Sequence, residues 1–233
     1  MLYDCILING DSYSAEVTEH KVYGNFLAEK FNIPIKNFAV PGSNNQRILR
    51  TSIEYLYQVK SEFKNPLVII GWTFTSRLEV WYYGNNKKLI NQVPDAELSP
   101  ESRLITLDRL IQNNEATLEH KALISDEVLA NTQFTNHFTN LYLLANLLNS
   151  MSIDYRFFSA ADNAGCNLSF FPHLLRYQHV KWVLDNPKIY ELNDFSLSKW
   201  AKENDPQCTS TGHLSESGHE RFASFFNENV IKV

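Results

Sequence analysis

The feature that most constrains this chain is a recurring pattern: a short apolar run ends abruptly in small polar residues, and a segment with apolar side chains at helical intervals follows. Leu2 to Asn9, rich in Ile, Leu and Tyr, stops at Gly10-Asp11-Ser12, as a buried strand delivering a loop would. From about Thr18 to Phe31, Val22, Phe26, Leu27 and Phe31 recur at helical spacing and Pro34 closes the segment. Asn37 to Val40 reads as a second strand, running into Pro41-Gly42-Ser43-Asn44-Asn45 and a helix that carries Ile48, Ile53, Leu56 and Val59. Pro66 to Gly71 is a β-branched run too short for a helix. Such alternation predicts βαβ units: a three-layer α/β/α sandwich around a central parallel sheet of about five strands.

Residues 81–130 interrupt the rhythm with polar stretches, around a helix expected to start at Ser99-Pro100-Glu101 and to carry Leu104, Leu107 and Ile111. We expect a helical insertion or lid after the third strand, within a single domain spanning 1–233. A long helix follows, with Phe134, Phe138, Leu141, Ala145 and Leu148 on one side, then a strand at Ile153 to Phe158. An aromatic segment containing Phe170, Phe171, His173, Tyr177 and Trp182 resists parsing. Ser215 or Ser217 is placed to cap a last helix whose Phe222, Phe225, Phe226 and Val230 face the core.

Composition removes several classes of function. Lys and Arg total 21 against 26 Asp and Glu, a formal charge of -5, so no broad basic face exists for nucleic-acid phosphates. Cys5, Cys166 and Cys208 show no CxxC spacing, which fits neither a disulfide framework nor a cysteine-rich zinc site. No HExxH or Gly-rich phosphate loop occurs. The first residues lack the basic start and cleavage site of a secretion signal, and their apolar run is far below the roughly 18 residues of a membrane span. We therefore expect a cytoplasmic protein without membrane or nucleic-acid partners, cofactor or metal.

In an open parallel sheet, ligands gather at the loops beyond the carboxyl ends of the strands. Those loops present Asp11-Ser12, Gly42-Ser43-Asn44-Asn45 and Gly71-Trp72-Thr73, and His213 arrives just before the last helix. A serine nucleophile needs a base within hydrogen-bond reach and preorganised donors for the oxyanion; these loops supply both. In order and spacing, Ile6-Leu7-Ile8-Asn9-Gly10-Asp11-Ser12, Val40-Pro41-Gly42-Ser43-Asn44 and Gly212-His213-Leu214-Ser215 with Gly218-His219 resemble the blocks of the SGNH (GDSL-like) hydrolase family over nearly the whole chain. The resemblance implies an SGNH/flavodoxin-like fold and a serine esterase or deacetylase, acting on small-molecule or carbohydrate esters without a cofactor. It implies Ser12 as nucleophile, His213 as base, and an oxyanion hole from the N–H groups of Ser12 and Gly42.

Two departures stand out. The family's third block carries an asparagine where this chain has Thr73, so Thr73, or else Asn44 or Asn45, is expected to complete the oxyanion hole. The family's aspartate three residues before the histidine is replaced by Ser210. Asp205, eight residues upstream, and Glu216, three downstream, are the candidate third members; the remaining option is a Ser12–His213 dyad with the ring held by a backbone carbonyl. Asp11 reads as a loop organiser. Trp72 is a candidate for stacking on substrate, and Arg77 either binds substrate or pairs with Glu79. The rivals to hydrolysis are a catalytically impaired binding or assembly module and an acyltransferase using the same site.

Overall fold

The computed structural model describes residues 2–16, 20–75, 77, 79–82, 103–106, 127–162, 172–190, 192 and 194–232. Five strands build the central sheet: β1 (Cys5–Asn9), β2 (Ile35–Asn37), β3 (Pro66–Trp72), β6 (Asp154–Ser159) and β7 (Ile189–Tyr190). Their order is β2-β1-β3-β6-β7, and every pairing is parallel. The expected α/β class, with helices on both faces, is what the chain adopts.

Side-chain alternation along the strands explains the layers. Leu7, Val68, Ile70, Trp72, Tyr155 and Phe157 face one side, where α2 (Asn45–Glu62), α3 (Glu127–Ser150) and α4 (Gln178–Asp185) cover them. Ile6, Ile8, Leu67, Ile69 and Phe158 face the other, under α1 (Tyr23–Phe31), α5 (Leu197–Asn204) and α6 (Glu216–Phe226). Successive strand residues point to opposite faces, so continuous apolar runs feed two separate cores. Each fully buried aliphatic or aromatic side chain contributes about 1.5–3 kcal/mol.

Three sequence expectations shift. The second strand falls at Ile35–Asn37 rather than at 37–40, because Pro34 ends the preceding turn and its carbonyl accepts from Ile6 N–H (2.9 Å), starting the ladder earlier. Within the expected insertion, β5 (Arg103–Thr106) pairs antiparallel with β4 (Glu79–Tyr82), so Leu104 lies in a strand and not in the helix expected from Ser99. Ladder pairing supplied by β4 overrode the local helix signal; Ser99, Leu107 and Ile111 lie outside the described residues. Of the two candidate caps of α6, Ser215 fills the position, its Oγ accepting from Gly218 N–H (3.1 Å). Among the described residues no helix is long and apolar enough to cross a membrane.

The order of strands places a topological switch at β1, whose neighbours β2 and β3 are reached by connections running to opposite sides. That crevice, at the carboxyl ends of β1 and β3, is where such sheets receive ligands.

Candidate active site

β1 is turned into its loop by buried polar contacts. The Asn9 amide lies 2.9 Å from both Thr51 Oγ1 and Ser52 Oγ on α2, and its Oδ1 accepts from Gly10 N–H. The Asp11 carbonyl accepts from the N–H groups of Ser14 and Ala15, and its carboxylate from Tyr13 N–H. This tight turn lifts Ser12, half-buried, to the sheet edge. Ser12 Oγ lies 2.8 Å from His213 Nε2.

His213 is set in a closed turn. Its N–H donates to Thr209 Oγ1 (3.0 Å), its carbonyl accepts from Thr209 N–H (2.9 Å), and Gly212 N–H donates to the Thr209 carbonyl (2.8 Å). Gly212 has φ +80, and a Cβ there would come within 2.7 Å of the Ser198 carbonyl oxygen, so no other residue fits without moving the histidine. The imidazole lies flat against the Tyr13 ring, centroids 4.3 Å apart and planes within 5°. Tyr13 Oη donates to the Thr211 carbonyl (2.8 Å). Thr211 Oγ1 stands 2.8 Å from His213 Nδ1.

Burial lowers the His213 pKa below its ordinary value, with Asp11 pulling it up and Arg77 pushing it down. The ring is accordingly neutral near pH 7. When Ser12 donates to Nε2, the ring proton is on Nδ1 and Thr211 Oγ1 is its acceptor. This is the protonation state a general base requires.

Asp205 is not at this ring. It follows α5 with its carboxylate fully buried, accepting from Ser215 N–H (2.7 Å), Ser215 Oγ–H (3.0 Å), Gln207 N–H (3.1 Å) and Arg221 (2.9 Å). Burial raises its pKa, but the hydrogen bonds from Ser215 and Gln207 outweigh it and hold the carboxyl below its ordinary value. The expectation of Asp205 as third catalytic member is therefore corrected: its oxygens are committed to the start of α6. Glu216 is also elsewhere, 3.1 Å from His20 Nδ1. Asp205→Ala is expected to cost about 1–3 kcal/mol of stability by leaving the Ser215 N–H unpaired, while turnover per folded molecule stays near wild type. Chemical denaturation alongside active-site-titrated kinetics checks this, and a collapse of kcat with stability intact would return Asp205 to catalysis.

The loops after β2 and β3 close the other side. Gly42 adopts φ +77 in the turn whose Val40 N–H donates to the Gly10 carbonyl (3.2 Å). Thr73 is fully buried, and its single hydroxyl proton is donated to Asp11 Oδ2, while the oxygen accepts from Arg77 (3.0 Å). Thr73 thus does not serve as the expected oxyanion donor. Asn45 is likewise engaged: its Oδ1 accepts from Thr73 N–H (2.9 Å), and its Nδ2 lies 3.2 Å from both the Thr73 carbonyl and His137 Nδ1. Asn44 differs. Its Oδ1 caps α2 by accepting from Arg47 N–H (2.8 Å), and its fully buried Nδ2 has no hydrogen-bond partner. A buried unpaired donor is costly and usually marks a position that another atom completes.

Two further expectations change. Trp72 is fully buried, edge-on to His137 and Phe157 beneath the sheet, and so does not meet substrate. Arg77 is engaged with the loops themselves: its guanidinium bridges Asp11 Oδ2 (2.9 Å), the Ser43 carbonyl (3.0 Å) and Thr73 Oγ1. It ties the loops after β1, β2 and β3 together. Conversely, Thr211 and Tyr13 were missed from sequence; the signal was their adjacency to His213 and Ser12.

A cavity of about 690 Å³ opens beside the pair, lined by Ser12, Tyr13, His213, Phe26, Glu216 and Glu220 among others, with no Lys or Arg among the described residues that line it. Among the described residues no group of three or more His, Cys, Asp or Glu is placed to hold a metal.

A family model described as a family of unknown function (DUF6071) matches residues 8–171, which include Ser12, Gly42, Asn44 and Thr73 but not His213. No curated protein matches the sequence. Two solved structures share the fold along the whole chain. A member of the lipolytic protein G-D-S-L family from Veillonella parvula DSM 2008 is 11% identical, with 98% of this chain and 99% of that chain covered and a TM-score of 0.50. The acetyl xylan esterase AlAXEase is 15% identical, with 97% and 99% covered and a TM-score of 0.50.

Proposed function

We infer that this chain, which belongs to the DUF6071 family of unknown function, is a serine hydrolase of carboxylic esters. The observation that carries the reading is the 2.8 Å approach of Ser12 Oγ to Nε2 of a neutral, half-buried His213 at the mouth of a cavity. In this reading Ser12 Oγ attacks the ester carbonyl as its proton passes to Nε2. The oxyanion is met by the N–H groups of Ser12 and Gly42 and by Asn44 Nδ2, the donor left without a partner. His213 then returns the proton to the departing alcohol oxygen. A water, deprotonated by the same nitrogen, cleaves the acyl-enzyme and restores Ser12.

The cavity sets the substrate class. Glu216 and Glu220 on its wall, with no opposing Lys or Arg among the described lining residues, disfavour phosphate-bearing or carboxylate-bearing esters and favour neutral, hydroxyl-rich ones. An O-acetylated carbohydrate has this character, and one fold neighbour is an acetyl xylan esterase.

The test is covalent. A fluorophosphonate probe is expected to label the protein stoichiometrically, and peptide mass spectrometry to place the adduct on Ser12. Failure to label, at a concentration that labels a control serine esterase, would leave the fold as a binding module.

A further inference from the structure

We propose that Thr211, backed by the ring of Tyr13, is the positioning residue that holds His213 in place of a triad carboxylate. The inference rests on the Ser12–His213 reading and concerns what fixes the base. In a serine triad the third group orients the imidazole, selects the tautomer and steadies the cation that forms. Here Nδ1 faces a hydroxyl 2.8 Å away, and that hydroxyl lies 2.8 Å from Thr209 Oγ1, which also accepts from His213 N–H. In the order that serves a base, Nδ1–H donates to Thr211 Oγ1 and Thr211 Oγ1–H donates to Thr209 Oγ1. In that order Thr211 holds Nδ1–H and Nε2 is left bare toward Ser12.

Tyr13 supplies the second restraint. Its ring stacks on the imidazole, and its hydroxyl is anchored to the Thr211 carbonyl. Rotation of His213 out of plane must therefore break a ring contact as well as a hydrogen bond. The residue directly after the nucleophile and the residue two before the base hold one another, so the two halves of the site are registered without an acid.

A hydroxyl orients but carries no charge, so it steadies an imidazolium less than a carboxylate would. Among the described residues, the charged and titratable groups that act on the ring are Asp11 and Arg77 from the loops after β1 and β3, Tyr13 stacked on it, and His219 of α6. Asp11 is engaged by Arg77, Thr73 and Tyr13 and does not reach Nδ1. The acid limb of kcat/KM should accordingly fall below the ordinary histidine value of 6.5.

Three substitutions test the proposal, each read by the pH profile of ester hydrolysis and by the ¹⁵N resonances of the His213 ring. Thr211→Val keeps the shape and the main-chain carbonyl but removes the acceptor. It is expected to lower kcat about tenfold with KM little changed, to displace the acid limb further down, and to mix the tautomers. Thr211→Ser should restore wild-type values. Thr211→Asp should raise the acid limb by about one pH unit, as an added adjacent carboxylate does. A Thr211→Val protein with the wild-type tautomer, rate and profile would overturn the role. The ring resonances separate that result from failure of the hydrolase reading: a wild type that hydrolyses no ester still reports whether its Nδ1–H depends on Thr211.

Discussion

Ser12→Ala and His213→Ala are each expected to lower kcat/KM toward an aryl acetate by about four orders of magnitude, and the double variant to lose no more than either. The loss is large because the two atoms form one unit. Without Nε2 at 2.8 Å the serine proton has no acceptor, since Thr73, Asp11 and Arg77 are bonded to one another. Without Oγ, the histidine has only water to activate. Neither side chain supports the core: both are half-buried at the sheet edge, so melting temperatures should stay close to wild type. Initial rates of the three variants with thermal melts decide the matter. Losses that multiply in the double variant, or substantial activity without Ser12, would remove the pair from the mechanism.

The second large effect concerns stability. Asp11→Ala is expected to destabilise the fold by about 3 kcal/mol or more, a sizeable share of the roughly 5–15 kcal/mol that holds a domain together. The Asp11 carboxylate is fully buried and receives Arg77, the Thr73 hydroxyl and Tyr13 N–H; the Arg77 side chain is itself only 18% exposed. Truncation removes the carboxylate that Arg77, Thr73 and Tyr13 share and loosens the tie between three loops. Pairing it with Arg77→Met should cost less than the two single losses added, because the Asp11–Arg77 contact is lost only once. Urea denaturation of the two single variants and the double variant closes the cycle. A loss below about 1 kcal/mol for Asp11→Ala, or full additivity with Arg77→Met, would contradict the tie.

The elements that were legible in the sequence are those whose period was unbroken. The strand at Pro66 and the helices carrying Leu56, Leu141 and Phe222 follow from runs that only one geometry can bury. Ser12 and His213 were found from the loops that such a sheet exposes. What failed was direction and reach. Trp72 was read as part of a loop, yet it is the last residue of β3 and shares a face with Val68 and Ile70. Counting by twos from Val68 would have turned it inward. Asp205 was chosen for charge and proximity along the chain, but its carboxylate was needed to anchor Ser215 at the start of α6. Thr211 was passed over because a carboxylate or a main-chain carbonyl was sought where a side-chain hydroxyl stands. The strand at Arg103–Thr106 was illegible because its partner, at Glu79–Tyr82, supplies the ordering from outside the segment.

The two apolar clusters on opposite sides of the sheet give the nucleophile and its base unequal foundations. Ser12 grows from β1, whose Leu7 and Ile8 are rooted in both clusters, whereas His213 hangs between α5 and α6, which belong to one. The gap between Oγ and Nε2 is thus a gauge of how firmly that single layer is seated. Loosening around Leu197 or Phe222 is expected to reach the histidine more directly than loosening around Phe134 or Leu141.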